Sequence, residues 1–141
     1  MNKPLIAASL LAALTTIVHI FVGGADIAGP LLASTLAAEP RLTLYAVWHM
    51  VSVALALSAV ALFIGSLPRH AQAARYLVLF VSALWCAFGA VVLTVAAAQA
   101  EVIWFLKLPQ WVLLLPVGML GFWGSLDRAL QANAPATTHD Y

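Results

Sequence analysis

Charge is what this chain has least of. Only 8% of its 141 residues are Asp, Glu, Lys or Arg, six basic and five acidic in all. A soluble domain of that length needs a charged, solvated surface, and so few ionic side chains cannot supply one. A net charge of +1 offers no basic patch to neutralise phosphates, which argues against nucleic acid as a partner. There is one cysteine, Cys86, so neither an intrachain disulfide nor a CxxC metal site can form. Lying inside an apolar run, it reads as a small core residue. No Gly-rich phosphate loop, HExxH or Ser/His/Asp arrangement is present either.

Apolar residues fill the chain instead, at 65% of the total with a mean hydropathy of +1.03. They fall in long blocks and not in short amphipathic stripes. A hydrocarbon core of about 30 Å needs roughly 20 apolar residues in a helix. Four segments meet this: Leu5 to about Gly24, Leu42 to Leu67, Ala73 to about Ala98, and about Val102 to Leu126. Short connections make neighbours antiparallel. The expected fold is therefore an all-α integral membrane protein, an antiparallel four-transmembrane-helix bundle occupying residues 1–130 as one domain. Residues 131–141 lack apolar periodicity and read as a disordered cytoplasmic tail.

Orientation follows the Lys and Arg of the short connections. Lys3, Arg69, Arg75 and Arg128 lie on one side, against Arg41 and Lys107 on the other. Both termini are thus expected in the cytoplasm, in an inner (cytoplasmic) membrane of bacterial type. The first segment exceeds the about 7–15 residues of a signal h-region and is expected to be retained as a span. In the stretch from Ala25 to Arg41, Leu31, Leu32 and Leu36 follow Gly29-Pro30 at near-helical spacing. That pattern predicts a short connecting helix on the outer surface. Pro109 and Pro116 interrupt the fourth segment, so its regular part is expected to begin near Pro109. Glu101 to Leu108 would form an interfacial turn, with Trp104 and Trp111 at headgroup level.

Two histidines stand out in this apolar background. An imidazole in hydrocarbon costs free energy unless something pairs with it, which makes it a functional candidate. His19 lies about five residues, roughly 8 Å, inside the outer end of the first span, and His49 about seven residues, roughly 10 Å, inside that of the second. Antiparallel neighbours would bring the rings to similar depth. Helical spacing places Thr15 or Thr16, His19, Gly23 and Asp26 on one stripe, and Tyr45, His49, Ser52 and Ala56 on another. Such small and hydroxylated stripes are what membrane helices turn toward one another. Trp48 falls on a neighbouring face, to wall the site or pack against another helix.

The candidate ligand-binding residues are therefore His19, His49, Asp26, Tyr45, Trp48 and Ser52. His19 and His49 are also candidate metal or haem ligands, because imidazole binds iron and helix bundles build cofactor sites from facing helices. A two-histidine site of this kind would hold haem b or a quinone-like ligand. The alternatives are hydrogen bonding of purely structural value, a non-enzymatic accessory subunit of a membrane complex, and a small transporter working as a homo-oligomer. The lipid bilayer is the partner that composition demands. No motif assigns a reaction.

Overall fold

The computed structural model describes residues 1–99 and 101–133, with side chains described through Leu126. These residues are helical, with no strand among them. Helix α1 covers Lys3–Ala33, α2 Ala38–Ser66 and α3 Arg75–Ala97. A single turn, α4, follows at Trp104–Lys107, and α5 runs Trp111–Asn133. Of the expected tail, residues 134–141 lie outside the described part of the chain.

Helices α1, α2 and α3 are each long and apolar enough to cross a bilayer, whereas the apolar stretch of α5, Trp111–Leu126, is shorter. Within the fourth segment of 102–126, Leu108 leaves helical geometry and Pro109 follows it, so α5 starts at Trp111, close to the start near Pro109 that the prolines predict. Trp111 Nε1–H donates to the Phe105 carbonyl at 3.1 Å, which fastens the α4 turn onto the first turn of α5.

The beginning of α1 is well specified. The Asn2 side chain accepts from the Leu5 N–H at 3.0 Å, and Pro4 sits in the first turn, where a missing N–H costs nothing. Its far end is not where the sequence suggests. Gly23-Gly24 and Gly29-Pro30 resemble a helix stop followed by a separate connecting helix, yet the chain stays helical to Ala33. Gly24–Ala28 form one π-helical turn, closed by the Gly29 N–H on the Gly24 carbonyl, and Gly29–Ala33 resume the α geometry. Proline lacks an N–H, and its ring crowds the carbonyl four residues back, here that of Asp26. A widened turn just ahead of Pro30 absorbs that conflict without ending the helix. The connecting helix expected after Pro30 is thus the last part of α1, and only residues 34–37 separate it from α2. Arg41 donates to the Ser34 carbonyl at 3.2 Å across that link.

In space α1 is central, packing on α2 along one side and α5 along the other. Helix α5 carries α3, and α2 meets α3 only sparsely. Small residues set these distances. A Cβ added at Gly118 would come within 2.7 Å of the Ser82 backbone oxygen, so α3 and α5 touch nearly backbone to backbone. The buried side chains concentrate in one half of the bundle, nearest Asn2 and the α2–α3 connection. Leu5, Ala8 and Ala12 of α1 meet Leu55 and Leu62 of α2, Val78, Val81 and Trp85 of α3, and Leu114 and Val117 of α5. The opposite half buries much less.

Buried hydroxyls do not bridge the helices. Ser9, Thr15, Thr16, Ser52, Ser58, Ser66 and Ser82 each donate to a carbonyl three or four residues back in their own helix. The outward faces are apolar: Leu10, Leu14, Ile17 and Phe21 form an exposed stripe on α1, and Met50, Val53, Leu57 and Val60 another on α2. Apolar surface this extensive belongs against lipid.

Candidate functional site

In the loosely filled half, α1 and α2 part to leave a groove of about 330 Å³. Tyr45, Trp48, His49 and Ser52 line it from α2, and Ile20, Gly24, Ala28, Gly29 and Leu32 from α1. The α2 residues repeat every three or four positions, so one helix face supplies every polar side chain of the lining. The middle of the α1 wall is the π turn and the residue after it, where Gly24, Ala28 and Gly29 present backbone and methyl groups only, with Ile20 and Leu32 on either side.

His19 lies against Trp48. Its ring stacks on the indole at a centroid distance of 3.9 Å and an interplanar angle of 17°. With Nε2 protonated, the ring also donates a long hydrogen bond of 3.4 Å to the Trp48 carbonyl. The other tautomer would set a nitrogen lone pair against that oxygen. The Ser52 hydroxyl donates to the same carbonyl at 3.0 Å, so one backbone oxygen gathers two side-chain donors beside the ladder of α2. Opposite, Gly23 makes room for the indole: a Cβ there would stand 2.7 Å from Trp48 Cη2.

His49 is held differently. Tyr45, one turn back, meets it edge to face, with centroids 4.5 Å apart at 86°. The His49 side chain is exposed and borders the groove. Among the described residues its ring nitrogens have no hydrogen-bond partner, whereas Nε2 of His19 is engaged.

Four of the six residues singled out from sequence therefore share one groove: Tyr45, Trp48, His49 and Ser52. His19 reaches it only through Trp48, and Asp26 does not line it. Asp26 lies within the π turn, and its side chain is exposed. The small α1 residues of the groove are not among the six; their signal in the sequence is the run from Gly23 to Pro30, whose glycines and proline resemble the end of a helix. No three His, Cys, Asp or Glu side chains gather as a metal site among the described residues. No family model, curated protein or solved structure matches this chain.

Proposed function

We propose that this is a bacterial inner-membrane protein of four spans, with both termini cytoplasmic, that binds a lipid-soluble molecule with a ring-sized polar head in the α1–α2 groove. A quinone is the ligand class that fits best. The observation that carries this reading is His49, an exposed imidazole bordering the groove, whose ring nitrogens have no hydrogen-bond partner among the described residues. Hydrocarbon offers such a ring nothing, so a guest with a carbonyl or hydroxyl is its natural partner. Tyr45 and Trp48 give the guest ring aromatic surface, and Ile20 and Leu32 suit an apolar substituent. The volume lies near the lower end of the about 300–1,000 Å³ usual for ligand sites, which favours one ring over a macrocycle.

The quinone version is preferred to haem because of His19. Ligating haem iron through both histidines asks both rings to aim a free nitrogen at one metal. The His19 ring instead lies flat on an indole with Nε2 on a carbonyl. The four-span count and the orientation rest on the basic residues. Lys3, Arg69 and Arg75 gather at the closely packed end, while the acidic Asp26, Glu39 and Glu101 sit at the other.

The test is titration of the full chain in lipid nanodiscs with a short-tailed benzoquinone. Saturable binding is expected, with His49→Ala weakening it about tenfold, the upper end for a lost neutral hydrogen bond. Equal binding by wild type and His49→Ala would remove the basis for the proposal. A b-type absorption band in the purified protein would turn the site toward haem.

A further inference from the structure

We infer that the two histidines have unequal roles. His19 is a positioning residue that fixes the Trp48 indole as a wall of the groove, while His49 meets the guest. This inference rests on the binding reading above for its consequence, but its physical content is visible without a ligand.

The Trp48 indole is held from two sides. Its face is covered by the His19 ring at 3.9 Å. Its edge passes Gly23, where a methyl group would collide with Cη2 at 2.7 Å. The His19 ring is itself held in place by its Nε2–H, which donates at 3.4 Å to the backbone carbonyl of Trp48. A tryptophan on a membrane helix has two side-chain torsions, and the alternative to the present rotamer is to swing outward among acyl chains. The His19 stack makes the inward position the favourable one, because the imidazole gains an aromatic partner and a hydrogen bond at once in a medium offering neither.

Sequence placement makes His19 and Trp48 reciprocal. The imidazole is satisfied by α2 and the indole is oriented by α1, so the pair also joins the helices where other side chains are sparse. His49, the next residue, points elsewhere on α2 and engages Tyr45. A guest in the groove therefore touches Trp48 and His49 directly and senses His19 only through the indole.

The experiment is a double-mutant comparison on the full chain in nanodiscs, with and without the short-tailed benzoquinone. In ligand-free protein, His19→Ala should brighten and shift the tryptophan emission, because Trp48 loses its stacked neighbour. The same substitution in a Trp48→Phe background should change the emission little. With the quinone, His19→Ala should weaken binding about tenfold, as loss of an aromatic pair predicts. His19→Phe keeps a ring against Trp48 and should stay within about threefold of wild type. Should His19→Phe and His19→Ala weaken binding equally, the stack does not position the site. An emission change from His19→Ala that persists without Trp48 would overturn the assignment outright. If wild type binds no quinone, the functional reading fails, and the ligand-free comparison still decides whether His19 holds Trp48.

Discussion

At the scale of single residues, the most instructive side chain outside the groove is Trp85. It is fully buried at the centre of the core, and its indole N–H has no acceptor among the described residues. An unsatisfied buried donor costs about 1–3 kcal/mol, whereas the indole's apolar surface contributes more than that. Trp85→Phe should therefore leave stability within about 1 kcal/mol of wild type, because the lost volume and the removed orphan donor offset each other. Trp85→Ala should cost about 3–5 kcal/mol. Denaturant titration of both variants in the same detergent gives the comparison, and a loss of about 2 kcal/mol or more for Trp85→Phe would mean that the indole N–H is satisfied. The histidines teach a related lesson about legibility. Hydropathy was enough to mark His19 and His49 as imidazoles inside apolar helices, but not to say what each ring touches. A rotation of some tens of degrees decides whether His19 meets His49 or Trp48, and residue spacing fixes a helical face no more finely than that.

At the scale of elements, the π turn matters most. The boundaries of α2 and α3 were legible within a few residues, since long apolar blocks flanked by Pro68, Arg69 and Arg75 leave little choice. The far end of α1 was not. Two glycines and a Gly-Pro pair are ordinary stop signals, and only the extra residue of a π turn reconciles them with a continuous helix. Removing Ala25 should convert Gly24–Ala28 to α geometry. It would also place Pro30 against its preceding turn and close the groove from the α1 side. Helix content by circular dichroism should hold steady while quinone binding falls at least about tenfold, as for the loss of a formed pocket. Retained binding would show that the turn does not shape the site. The α3–α5 contact makes a second element-scale prediction. Gly118→Val must push against the Ser82 backbone, which cannot yield as a side chain does, and overpacking of this kind costs about 1–3 kcal/mol. Thermal unfolding of the variant measures that loss.

At the scale of the whole molecule, lipid-facing stripes and a one-sided core separate what the bundle does at its two ends. Packing is dense near Asn2, and the groove lies where it is thin. If both termini face the cytoplasm, cysteines placed at Lys3 and Gln72 in a Cys86→Ser background should react with an impermeant maleimide only in inside-out vesicles. One placed at Thr35 should react only in right-side-out vesicles. Labelling of Lys3 and Thr35 positions from the same side would discard the proposed orientation. The long apolar helices themselves were legible in composition, because few charges and long apolar blocks give α1, α2 and α3 the length and hydropathy to cross a membrane. The break near Pro109 was legible too, but the number of spans was less so, because the apolar stretch that follows it, Trp111–Leu126, is shorter than the other three.

The way the buried hydroxyls turn back on their own helices has a consequence for how the bundle holds its register. The helices exchange few hydrogen bonds among the described residues. Asn2 donates from its side chain to the Gly124 carbonyl at 2.8 Å and from its backbone to the Ser66 carbonyl at 3.1 Å. His19 reaches the Trp48 carbonyl at the other end. Asn2 thus pins α1, α2 and α5 together at one point, His19 joins α1 to α2 at another, and α3 shares in neither. Helix α3 is seated by shape alone, on the glycines of α5. Sliding it along its axis would break no side-chain hydrogen bond to another helix and would be resisted by the fit of Ser82 and Cys86 over Gly118 and Gly121, of Val78 over Gly65 and of Leu115 over Gly89. It is the strand of this rope that is wedged and not tied.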